Sequence, residues 1–153
     1  MNMSTIDVGA TNSAMAVWLN SVLVHFQVFT AHTCATLAAN LDTMAVWFRQ
    51  VSVVHIEQQM RSNTRAVQIE AQVYMWFALT LPHVKCVGFA ARNKYTGLDR
   101  TVYNTKYKRK KWAQEYALTL LSDSQRCDYL KLKKRDDVAD AIVMGHTLLQ
   151  KLS

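Results

Sequence analysis

Residues 3–29 read MSTIDVGATNSAMAVWLNSVLVHFQVF, and this stretch decides the fold. Residues 3–8 form a short apolar run that stops at Gly9, which predicts a strand. Residues 14–19 (AMAVWL) and 22–29 (VLVHFQVF) predict two more strands, joined by a tight turn at Asn20-Ser21. No Asp, Glu, Lys or Arg occurs from Val8 to Leu41, as expected of strands packed into a core. Asp7 is the charge at the edge of that block.

Downstream the period changes. Residues 36–50 predict an amphipathic helix with Leu37, Leu41, Met44, Ala45 and Phe48 on one face. The β-branched run 51–57 (VSVVHIE) predicts a buried strand. Residues 63–80 predict a long helix that Pro82 ends, and residues 84–90 a fifth strand. A basic loop follows through Thr105, then helices over 107–121 and about 136–152. This order predicts an α/β fold, a central five-stranded mixed sheet flanked by helices. With one proline, four glycines, no linker and no internal repeat, residues 1–153 are expected to form a single domain.

The net charge of +7 is unevenly placed. Residues 1–84 hold three arginines against four acids, and the remaining 15 Lys and Arg against 7 Asp and Glu follow Val84. A neutral half beside a basic half points to a polyanion partner, although a solvated basic face kept for solubility gives the same composition. Aromatic rings (Tyr95, Tyr103, Tyr107, Trp112) interleave with the cations of residues 92–112, which favours nucleic acid: cations for phosphates, rings for unstacked bases. The three cysteines are widely spaced, so neither a zinc ribbon nor a disulfide framework is supported, and a reducing compartment fits. The N-terminus lacks the pattern of a secretory signal, and the most apolar helix is interrupted by Gln68, Glu70 and Gln72, so no membrane association is expected.

Four carboxylates stand out. Asp7 ends a core strand, where a charge is expensive unless paired or metal-bound, or else caps the next turn. Glu57 closes the strand 53–57, with Val53 and His55 on its face; it is either a site residue at the carboxyl end of a buried strand or an N-cap acid for the next helix. Asp137 and Asp140 are three apart on a helix and share a face, where like charges repel unless a cation lies between them. Asp136 and Asp137 have a capping role open to them at the helix start. Asp140 does not: it sits among Val138, Ala139, Ala141, Ile142 and Val143, and an acid in an apolar stripe near a second acid suggests metal binding.

Asp7 with Gly9 and Asn12, the run Ile56-Glu57-Gln58-Gln59, and KKRDDVADA at 133–141 together resemble the three acidic motifs of RuvC-type Holliday junction resolvases. The viral branch, from poxviruses and related large DNA viruses, is most similar in length and in the lysine-led last motif. The resemblance runs from residue 4 to about 150. It implies a ribonuclease H-like fold, a homodimer, and two Mg²⁺ ions (Mn²⁺ as substitute) held by Asp7, Glu57, Asp137 and Asp140. It selects Asp137 over Asp136, because the family's last motif spaces its acids three apart and ends on Asp140. It also implies that Lys110 and Lys111 lie near the scissile phosphate. Bacterial members carry a Phe three residues after the motif Glu, where this chain has Met60.

The function expected is therefore a structure-selective endodeoxyribonuclease that cuts four-way junctions and other branched DNA. Two divalent ions would activate water and neutralise charge at phosphorus. Arg61, Arg65, Arg92, Lys94, Arg100, Lys106, Lys108, Arg109, Lys133 and Lys134 are expected to contact DNA. Residues 66–81 are apolar nearly all round, more than one sheet face requires, so this helix is expected at a dimer interface, with Val73 or Phe77 facing outward. The expected location is intracellular, at a viral replication site in the host cell, in the cytoplasm rather than the nucleus. The alternatives are another ribonuclease H-fold nuclease acting on flaps or RNA–DNA hybrids, and a non-catalytic nucleic-acid-binding domain.

Overall fold

The apolar block becomes an antiparallel meander. The computed structural model describes residues 1–152. Strands β1 (Met3–Asp7), β2 (Asn12–Leu19) and β3 (Val22–Thr30) follow one another. Asn20 and Ser21 both take positive φ, the geometry that lets a two-residue hairpin follow the strand twist. The Asn20 N–H donates to Asn2 Oδ1 and ties the turn to the chain's start.

Helix α1 (Cys34–Phe48) leads to β4 (Val53–Glu57), and helix α2 (Thr64–Thr80) to β5 (Lys85–Phe89). Both strands run parallel to β1, which gives a five-stranded mixed sheet of order β3-β2-β1-β4-β5. Thr33 and Asn63 cap the two helices, each side chain accepting from a first-turn N–H.

The central strands are buried on both faces, hence their lack of charge. One face packs Ile6, Met15, Val17, Val54 and Ile56 against Leu41, Phe48, Ile69, Val73 and Phe77 of α1 and α2. The other packs Met3, Ala14, Ala16 and Trp18 against α4 (Lys106–Leu120) and α6 (Arg135–Leu152), preceded in the chain by the short α3 (Arg100–Tyr103). Alternation puts Thr5 and Asp7 on the α6 side, where the Thr5 hydroxyl donates to Ala141 O at 2.7 Å.

Two expectations change, and one helix appears beyond those expected from the sequence. Val73 and Phe77 are fully buried against the sheet and α1, so the outward apolar residues of α2 are Met75 and Leu79, 64% and 79% exposed. The basic loop after β5 is ordered: a 3-10 turn at Ala91–Tyr95, then α3. Helix α5 (Asp123–Lys131) has no apolar period because it buries only Tyr129; its Ser122–Gln125 capping box was its readable signal.

Helix α6 lies close against β2 at one point. A Cβ on Gly145 would overlap the Trp18 indole, whose buried Nε1 has no hydrogen-bond partner among the described residues. Ala ordinarily favours a helix over Gly by about 0.5–1 kcal/mol. Here Gly145→Ala should instead destabilise the protein, by about 1–3 kcal/mol from overpacking, read as a lower midpoint in thermal or urea unfolding.

Candidate active site

Parallel pairing of β1 with β4 sets the site. Ile6 registers with Ile56, so Asp7 and Glu57 lie one step further on, side by side at the carboxyl ends of adjacent strands. Helix α6 crosses the same face and brings Asp140, held one residue from the Thr5–Ala141 hydrogen bond. Asp7 is 8% exposed.

The cation among these acids is Lys94, from the 3-10 turn that follows β5. Its Nζ donates to Glu57 Oε2 at 2.6 Å and to Asp140 Oδ1 at 2.9 Å, and the side chain is 4% exposed. Lys94 is thus corrected from an expected DNA contact to the centre of the acid cluster. Burial opposes its charge, but Asp140, Glu57 and Asp7 outweigh that and hold its pKa above the usual lysine value.

The acids respond to crowding. Burial raises Asp7 well above the ordinary carboxylate range; Glu57, Asp140 and Asp137 add to this, and Lys94 opposes it. Burial also raises Glu57, with Lys94 pulling it back. Asp137 is pushed up to about 6, by burial first and then by Asp136 and Asp140, against Lys134 and Lys110. Asp136 turns away to Lys110, whose ammonium hydrogen-bonds to it and holds its carboxyl below the usual value despite partial burial.

A divalent cation fits this donor set. Hard carboxylate oxygens are the ligands that Mg²⁺ and Mn²⁺ select, and an ammonium already spans two of them. Among the described residues, no three Asp, Glu, His or Cys side chains converge at ligating distance. Glu57 and Asp140 converge on Lys94 instead.

A cleft of about 390 Å³ opens over the cluster, with Lys106, Arg109 and Lys110 at its walls beside Met60 and Tyr95. Met60 is 76% exposed at this mouth. Lys111 stands apart from this cleft and pairs loosely with Glu115 at 3.9 Å. Several expected DNA contacts also hold backbone. Arg65 donates to Ala31 O and His32 O, Lys108 to Thr101 O, and Arg109 to Tyr103 O. Arg61, Arg92, Arg100, Lys133 and Lys134 are exposed. Most of the rings expected for bases pack on each other: Tyr95 stacks on Tyr103 at 4.9 Å and contacts Trp112 at 5.5 Å, and Trp112 stacks on Tyr116 at 5.2 Å. Tyr107 is left exposed.

Sequence reasoning missed Lys94's place, although a signal existed. It lies five residues beyond the end of β5, on the same carboxyl edge that carries Glu57, and buried acids need a cation.

The mixed sheet with α6 laid across it is the RuvC-type, ribonuclease H-like fold. Solved structures share it. The chain is similar to the fowlpox virus resolvase, solved with its Holliday junction DNA, at a TM-score of 0.74, 17% identity and 99% coverage of both chains. It is also similar to Thermus thermophilus RuvC, solved with a Holliday junction substrate, at 0.60 and 14% identity, covering 99% of this chain and 96% of that one. In sequence it is 27% identical over 108 residues to an uncharacterised protein, 97L, of Invertebrate iridescent virus 3. That match takes in 71% of this chain, which spans about half the length of that curated relative. No family model matches the chain.

The raised acids set a pH dependence. Asp137 titrates near 6 in the folded chain and near its ordinary value when unfolded, so between those values the folded state binds more protons. Stability should therefore fall as pH rises from about 4 to above 6 in metal-free protein. Asp137→Asn should flatten that fall and leave the variant more stable than wild type at pH 7, with the gap closing by pH 4. Urea unfolding in EDTA across this range measures it; a wild-type curve that rises between pH 4 and 6 in parallel with the variant's would refute the assignment.

Proposed function

We propose that this chain is a metal-dependent endodeoxyribonuclease that resolves Holliday junctions and related branched DNA. The observation that carries the reading is the cluster itself. Glu57 and Asp140 converge on the Lys94 ammonium, with Asp7 beside Glu57 on the neighbouring strand, at the carboxyl edge of the sheet under a mouth lined by Lys106, Arg109 and Lys110. Acids that gather a cation beneath cations that gather phosphate are the two halves of a phosphodiester site. The likeness to a viral and a bacterial resolvase, each solved with junction DNA, supports four-way junctions as the substrate.

Asp7, Glu57, Asp137 and Asp140 would hold two Mg²⁺ ions, or Mn²⁺ in their place. When bound, these supply a nucleophilic water at neutral pH and charge neutralisation at the phosphorus. The chain's own residues do the rest. Thr5 fixes α6 on β1 and so fixes Asp140 relative to Asp7. Lys106 and Arg109 hold the phosphate backbone at the mouth. Lys110 borders both the cleft and Asp136, which favours it over Lys111 as the group beside the scissile phosphate, where charge develops.

Two symmetric cuts across a four-way junction suit a twofold homodimer. Its interface would be the apolar groove between α1 and α2, lined by Leu37, Leu41, Met75, Trp76 and Leu79. No helix among the described residues is long and apolar enough to cross a membrane. The likeness to proteins of an iridescent virus and of fowlpox virus supports a viral origin, and the location that goes with this reading is a viral replication site in the host cell, in the cytoplasm rather than the nucleus.

Incubating the protein with a four-way junction, a flap, linear duplex and an RNA–DNA hybrid in Mg²⁺ tests the reading. The junction should be cut fastest, and EDTA should stop the reaction. Asp7→Asn, Glu57→Gln, Asp137→Asn and Asp140→Asn should each abolish cleavage and leave junction binding largely intact. Cleavage surviving in EDTA overturns the metal-dependent reading; preference for the hybrid makes the chain a different ribonuclease H-fold nuclease.

The dimer has its own test. The double variant Met75→Asp with Leu79→Asp, two exposed positions, should be monomeric by light scattering at micromolar concentration, where wild type should give twice the chain's 17.5 kDa mass. A monomeric wild type refutes this interface.

A further inference from the structure

Among the described residues, Lys94 is the one buried cation. A buried ammonium persists only when its charge and donors are matched, and here two elements match it: Glu57 from β4 at 2.6 Å and Asp140 from α6 at 2.9 Å. The turn that carries it is anchored. Tyr95, the next residue, stacks on Tyr103 of α3 and contacts Trp112 of α4. The ammonium is therefore a fixed part of the acid centre and not a surface side chain that strayed into it.

Its position has a consequence for loading. A divalent cation held by Glu57 and Asp140 would draw on the two carboxylate oxygens that already accept from the Lys94 ammonium. That places it in the space the Lys94 nitrogen fills, with the same sign of charge. The two occupants exclude each other. We infer that Lys94 is an internal cation that holds the acid centre in its metal-free form, and that a divalent metal loads the centre by displacing it. The inference rests on the nuclease reading, which makes a divalent cation the centre's cargo. Lys94 is then a positioning residue that holds Glu57 and Asp140 together before the metal arrives. Metal affinity is set by competition, because a ligand's apparent affinity falls with the population of the state that can accept it. Loading is also coupled to the Ala91–Tyr95 turn and, through the stacked rings, to the basic helix α4.

Binding of Mn²⁺ to DNA-free protein, followed by the electron paramagnetic resonance signal of the free ion, tests this without any turnover. Lys94→Met, which keeps the stem and removes the charge, should bind Mn²⁺ about tenfold more tightly than wild type. Lys94→Gln should behave likewise, and Lys94→Arg, which keeps a cation, should stay near wild type. In EDTA the two neutral variants should melt below wild type, because acids gathered around an ammonium have lost it, and saturating Mn²⁺ should raise their melting temperatures more than it raises that of wild type. A variant unfolded in EDTA that Mn²⁺ refolds supports the inference; one that Mn²⁺ does not recover overturns it. Neutral variants that fold by circular dichroism yet bind Mn²⁺ no more tightly than wild type overturn it too. If wild type still cuts a junction in that case, the nuclease reading stands alone. Failure of wild type and variants alike to bind Mn²⁺ at millimolar concentration overturns both.

Discussion

The parallel pairing of β1 with β4 is the constraint on which everything else depends. It aligns two carboxyl ends on one edge, so Asp7 and Glu57 become neighbours although 50 residues separate them in the chain. Their proximity is unfavourable in itself: both are largely buried, burial raises the proton affinity of each, and Glu57 raises that of Asp7 further. Such a pair survives because the apolar layers on both faces of the sheet hold the strands in register whatever the acids prefer. The site is thus a local cost carried by a core that is complete without it.

Helix α6 completes the arrangement by a division of labour along residues 136–142. Val138, Ala139, Ala141 and Ile142 bury the helix on the sheet, while Asp140 interrupts that stripe at the position over β1. Asp136 faces the other way and pairs with Lys110 of α4, which fixes α4 against α6 and turns Lys110 toward the cleft. Asp137 lies between these roles and feels both: Asp136 and Asp140 raise its pKa, while Lys134 and Lys110 lower it. One ion pair therefore both tethers the basic helix and separates the outer acid from the inner three.

What was legible in the sequence follows from which signals are local. The charge-free block from Val8 to Leu41 announced strands buried on two faces, and the alternation Val53, His55, Glu57 put the acid on the correct side of β4. Asp140 stood out as an acid inside an apolar stripe, and it lies in the acid cluster against Lys94. Helix α5 was not legible, because a helix that buries a single residue, Tyr129, has no period to read. Val73 and Phe77 were misread because an all-round apolar helix has no polar face to mark its outside; only packing against α1 showed that Met75 and Leu79 point away. The rings near the basic segment were legible as a group but not in their role, since Tyr95, Tyr103 and Trp112 find one another across residues that sequence spacing treats as separate.

Lys94 marks the deepest limit of such reading, and also explains it. By composition it belongs with the basic stretch that begins at Arg92, and any linear reading assigns it to a polyanion. Its burial comes from topology: β5 is parallel to β4, so the residues leaving β5 emerge at the edge where Glu57 ends its strand. A cation delivered there meets acids before it meets solvent. The same edge therefore carries both charges of the centre, the carboxylates from β1, β4 and α6 and the ammonium from the turn after β5. The sheet's parallel half brings acid and base together, while its antiparallel half, β2 and β3, supplies a neutral wall. The fold fixes where a positive charge must be; which positive charge stands there is left to competition between a tethered lysine and a free ion.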